Sequence, residues 1–131
     1  MWKHNPLPFH SDAQLAHVAS VAAQQQGKFW EMHDKMFANQ AKIKMPDLQQ
    51  YAKEIGLDIK RFEKDLADPA LLKIVEADKR EAAAAGATGT PTFYVNGHYM
   101  SGAKPFDEFA KAINAELAKL NLPVPPGALG K

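Results

Sequence analysis

The stretch "GATGTPTFYVNGHYMSG", residues 86 to 102, restricts the fold more than any other part of this 131-residue chain. Thr92 to Val95 is β-branched and aromatic, Asn96-Gly97 is a type I′ turn signal, and His98 to Ser101 returns as a second strand. The rest of the chain carries helical patterns. Two strands alone are marginal in water, so this hairpin must lie on helices or join a larger sheet.

The helical patterns fall on both sides of the hairpin. Pro6 and Pro8 keep "WKHNPLPF" extended. Ser11 and Gln14 have the spacing of a capping box, and Leu15, Val18, Ala19 and Ala22 form the stripe of a first helix that stops at Gly27. A second helix carries Phe29, Met32, Met36 and Phe37 on one face. A third opens at Pro46 with Leu48, Tyr51, Ala52 and Ile55. Asp58 caps a fourth with Ile59, Phe62 and Leu66, and Asp68-Pro69 starts a fifth with Leu71, Ile74 and Val75. After the hairpin, Pro105 opens a last helix striped by Phe106, Phe109, Ala110, Ile113, Leu117 and Leu120. The tail 121–131 is rich in Pro and Gly, the composition of a loosely held terminus. The fold class expected from this order is α+β, mainly helical, in one domain covering residues 1–120.

Several function classes find no support. The net charge is +1 and no run of Lys or Arg occurs, so neither nucleic acid nor a membrane surface is expected as partner. No apolar stretch approaches the length of a bilayer span, and "MWKHNPLPFH" is too polar and proline-rich for a signal peptide. The five histidines (His4, His10, His17, His33 and His98) lack metal-ligand spacing, and no cofactor or metal is expected. "GATGTP" lacks the Lys-Ser/Thr of a phosphate loop. Trp30, Met32, Met36 and Phe37, at helical spacing, are assigned to the core rather than to a ligand groove. Cysteine is absent altogether.

"WKHNPLPFH", "QGKFWEMHDKMFANQ", "YAKEIGLD" and "GATGTPTFYVNG", in this order, resemble the DsbA-like branch of the thioredoxin superfamily, from Trp2 to about Leu120. The resemblance implies that residues 12–67 and the start of the fifth helix are the family's helical insertion. It implies that residues 86–120 are its cis-proline loop, hairpin and closing helix. Thr90 is then similar to the position whose backbone binds an extended peptide or thiol substrate, and Pro91 to the cis-proline. The family's activity is thiol–disulfide exchange through a Cys-x-x-C pair.

Exchange needs a thiolate to attack sulfur, so a chain with no cysteine is expected to be redox-inactive by itself. The chain is read as the C-terminal two-thirds of a DsbA-like domain, an incomplete thioredoxin-like fold keeping the substrate side without the redox side. A bacterial parent of that kind would be periplasmic or otherwise extracytoplasmic. In the family's sheet a further strand lies between the "WKH" strand and Thr92–Val95. Its absence would open a gap of two strand spacings, roughly 10 Å, and leave an apolar edge. That edge suggests a homodimer. It also suggests the alternative reading, a non-catalytic module that self-associates or binds extended peptides by strand addition.

Overall fold

The computed structural model describes residues 1–125, so the end of the Pro/Gly-rich tail lies outside the described residues. It divides into two compact units, Met1–Ala85 and the segment from Gly86 onward.

The first unit is five helices: α1 (Ala13–Gln24), α2 (Phe29–Ala38), α3 (Met45–Glu54), α4 (Ile59–Leu66) and α5 (Pro69–Ala84). Each of the other four packs against α1. The sequence of α1 explains this: Ala19, Ala22 and Ala23 are fully buried and small enough for close helix approach, while Val18 and Val21 fill the spaces between. Met32 of α2, Leu48 and Ala52 of α3 and Phe62 of α4 are fully buried around it, with Leu71 and Val75 from α5. Burying a side chain of the size of Met32, Leu48 or Phe62 contributes about 1.5–3 kcal/mol.

The helix ends follow local chemistry. The Asp58 carboxylate accepts the Arg61 N–H at 3.0 Å, and that of Asp68 accepts the Ala70 N–H at 2.8 Å, so both aspartates cap as their positions suggest. Gly27 takes φ 74°, a left-handed conformation that stops α1 without a Cβ penalty.

Three expectations about the helices fail here. Ser11 is not the cap of α1: the Ala13 N–H bonds the His10 carbonyl at 3.1 Å, so Ser11 lies inside a turn and the cap is Asp12, with no side-chain bond. Trp30 and Phe37 are 60% and 58% exposed instead of buried, because α2 turns Met32 inward and leaves its aromatic rings to one another. On α5, Leu72 packs against the core and Ile74 is exposed.

Residues 2–4 form no strand. They belong to an arm laid on the helices. Trp2 meets Phe29, Trp30 and His33 edge-on, with ring centroids 5.6, 6.1 and 5.1 Å away, and Pro6 is buried.

Among the described residues the second unit is the hairpin and one helix. Strands β1 (Thr92–Val95) and β2 (His98–Ser101) pair antiparallel, with Phe93 opposite Met100 and Tyr94 opposite Tyr99. Asn96 and Gly97 both have positive φ, 48° and 84°, as a type I′ turn requires. Helix α6 (Phe106–Lys119) packs on β1, with Phe93 and Phe109 rings 4.7 Å apart, and Met100 and Ala110 are buried. The hairpin thus rests on a helix. Tyr94 and Tyr99, on the opposite face by the strand pleat, meet at 5.5 Å and are about half exposed. Asn96 donates to Glu116 at 2.8 Å, tying the turn to α6. The Lys119 ammonium, then Asn96, holds the Glu116 carboxyl below its usual range.

Candidate functional site

Thr90 and Pro91 lie on the corner that leads from α5 into β1. Gly86, at φ 84°, ends the run of helix, and the Thr88 N–H turns back to the Gly86 carbonyl at 3.1 Å. The Thr92 hydroxyl donates to the Gly89 carbonyl at 2.7 Å, closing the corner from the strand side. The Pro91 carbonyl accepts the Gly102 N–H at 2.8 Å, which carries the hairpin ladder one step beyond its strands. The Thr90–Pro91 peptide bond is cis. Both residues are exposed. The result is an exposed turn whose hydrogen bonds come from neighbours within a dozen residues.

Two shallow grooves lie elsewhere and contain neither residue. One of about 550 Å³ runs between β2 and α6 past His98, Ser101, Lys104 and Lys111, and there Lys104 is paired with Glu108 at 3.6 Å. The other, about 610 Å³ between α2 and α3, mixes Lys28 and Lys35 with Glu31 and Glu54, which pair with them at 3.1 and 2.7 Å. In this second groove the paired charges leave little to select a ligand.

The first unit holds a polar cluster that spacing along the chain did not reveal. His4 is 3% exposed, its backbone N–H donates to the Asp78 carboxylate at 3.1 Å, and its Nδ1 lies 3.0 Å from Nδ1 of His17. Lys3 reaches Asp78 at 2.9 Å and Glu81 at 2.7 Å. Those two carboxylates, Glu81 first, raise the Lys3 ammonium above its usual value. Burial pushes both imidazoles down, His17 to about 4. The two histidines are separated in sequence by thirteen residues and meet only because the arm folds across α1. Among the described residues no group of three or more His, Cys, Asp or Glu could hold a metal ion.

Helices and a small antiparallel sheet in this order define a mainly helical α+β protein with a cis-proline corner before its hairpin. Residues 5–114 match the model of the DSBA-like thioredoxin domain, and the chain belongs to that family. It is 37% identical over 123 residues to a protein of Salinispora tropica named Na(+)/H(+) antiporter NhaA 3, which is 93% of this chain and 19% of that one. Similar matches are NhaA of Herminiimonas arsenicoxydans, 44% over 96 residues (73% and 16%), and NhaA 1 of Mycobacterium sp. strain KMS, 39% over 110 residues (82% and 18%). The chain spans less than a fifth of the length of these curated relatives. Among the described residues no helix is long and apolar enough to cross a membrane. The longest, α5, has 16 residues, about 24 Å at 1.5 Å each.

Proposed function

We propose that this chain supplies the peptide-holding side of a DsbA-like thiol–disulfide oxidoreductase domain and carries out no thiol–disulfide exchange by itself. The observation that carries the reading is the pairing of an exposed Thr90–Pro91 corner with a sequence that contains no cysteine. An extended substrate laid along Thr90 would use backbone hydrogen bonds, as strand-adding ligands do. The attacking thiolate has to come from residues outside this sequence, because exchange proceeds only through sulfur.

The reading is tested by insulin reduction with dithiothreitol, and by oxidation of a reduced dithiol peptide, using the purified chain. Rates equal to buffer are expected in both. Reproducible turnover above buffer would defeat the reading, since the chain has no sulfur nucleophile for exchange. Ion exchange, the activity stated in the relatives' names, is not assigned to this segment. It matches less than a fifth of each relative, and its described helices are too short to span.

A second reading is favoured by the sheet itself. It has two strands, and Phe93 and Tyr94 of β1 are 37% and 44% exposed. A short apolar edge with no Lys or Pro in "TFYV" is a template for another strand. Strand pairing of two copies across a two-fold axis would then give a homodimer. Sedimentation at micromolar concentration distinguishes the cases: a dimer dissociated by Val95→Lys supports edge pairing, and a monomer excludes it. A dimer indifferent to Val95→Lys would have its interface elsewhere.

A further inference from the structure

We infer that the His4–His17 contact is an acid-sensitive latch: it holds the Trp2–Pro6 arm on the helical unit while it carries no more than one extra proton, and releases the arm when both rings are protonated. The inference concerns the helical unit and does not depend on the reading of the Thr90–Pro91 corner.

The geometry leaves room for a single proton between the rings. Two Nδ1 atoms 3.0 Å apart form a hydrogen bond only when one carries the proton and the other offers its lone pair. In the neutral pair, the acceptor ring keeps its proton on Nε2. A first added proton goes to the donor ring's Nε2 and leaves the Nδ1–H···Nδ1 bond intact. A second must go to the acceptor's Nδ1, setting N–H against N–H and two like charges in contact. His4 is 3% exposed, so water cannot relieve that repulsion without the arm lifting.

The charges around the pair are few. From α5, Asp78 faces His4 and favours the first proton, but it also serves Lys3 and the His4 N–H. Glu81, also on α5, is engaged by Lys3, and Lys3 itself opposes protonation of His4. From α2 the Phe29 ring lies 6.2 Å from His4, and His33 meets Trp2 and bonds Asp34 at 2.9 Å. On α1 the Ser20 hydroxyl goes to the His17 carbonyl at 2.7 Å, not to its ring. One carboxylate shared three ways does not stabilise two imidazolium rings. Burial accordingly holds His17 at about 4, with the His4 charge adding to the effect. The latch is closed at neutral pH and opens as pH falls toward that value.

The arm is also held by the Lys3 pairs to Asp78 and Glu81, the His4 N–H bond to Asp78, the aromatic edges of Trp2 and the buried Pro6, while the core around Phe62, Met32 and Leu48 lies among the helices. Arm release can therefore precede unfolding. The test is amide exchange by NMR, corrected for intrinsic rates, on the chain and on His17→Asn, whose amide occupies the region of Nδ1 and does not titrate. Between pH 7 and pH 4, protection of the His4 N–H should fall at least about tenfold relative to α3 and α4 in the parent, and by less than about twofold in the variant. Unchanged protection in the parent, or equal loss in His17→Asn, overturns the inference. Should the variant fail to dock its arm at pH 7, the ring titrations of the parent decide. Arm release that tracks the lower of two depressed midpoints supports the latch, and ordinary midpoints near 6.5 refute it.

Discussion

Phe62 and Phe37 are the same residue type on the apolar stripes of α4 and α2, yet truncating them should have very different consequences. Phe62 is fully buried in the core cluster, and Phe37 is 58% exposed, stacked on His33 at 4.3 Å and 25°. Phe62→Ala removes a buried ring and leaves a cavity, a change that costs about 3–5 kcal/mol. A unit of the size of Met1–Ala85 has about 4–13 kcal/mol of stability, so the loss is a large share of it. At about 4–8 °C per kcal/mol, the midpoint of thermal unfolding should fall by at least about 12 °C. Phe37→Ala forfeits an aromatic stack worth about 0.5–1.5 kcal/mol and opens no cavity. Urea titrations followed by far-UV circular dichroism read both changes, with unchanged m-values required for the comparison. Equal costs for the two variants, or a Phe62→Ala cost below about 1 kcal/mol, would refute the assignment of this core.

Two further predictions concern smaller terms. His17 lies near 4 in the folded chain against 6.5 in an unfolded one, so between those values the unfolded chain binds more protons and stability rises with pH. The contribution is complete above about pH 6.5 and is lost as pH falls toward about 4. Its ceiling is about 3 kcal/mol, and urea midpoints should decline through that window less steeply in His17→Asn than in the parent. Asp58→Ala removes the α4 cap and should cost about 1 kcal/mol in the same urea assay, whereas Asp58→Asn should recover most of it.

What could be read from the sequence was what neighbouring residues decide among themselves. The caps at Asp58 and Asp68, the Asn96-Gly97 turn and the Thr92–Val95 and His98–Ser101 strands each rest on a few adjacent residues, and their positions agree with the structure. Periodicity located the stripe on α2 but not its cover: a period of 3.6 says which residues share a face, not whether another element lies against it. Trp30 and Phe37 were misassigned for that reason, as was Ile74 on α5. The arm was harder still. Reading "WKH" as a strand assumed a sheet neighbour, whereas its residues bond the side chains of α1 and α5. Nothing in the thirteen-residue spacing of His4 and His17 announces a contact that only the folded arm creates. The corner at Thr90–Pro91 was legible as a position through its motif, and its hydrogen bonds from Thr92 and Gly102 came from the structure.

The peptide-holding role of the corner is tested most directly by titrating the isotopically labelled chain with an unstructured, cysteine-free peptide and following backbone amide shifts by NMR. The expected result is saturable shifts centred on Gly89, Thr90 and Thr92, with the helices α1 to α4 unaffected. Shifts centred on the helical unit, or no saturable shift at any residue up to millimolar peptide, would contradict it.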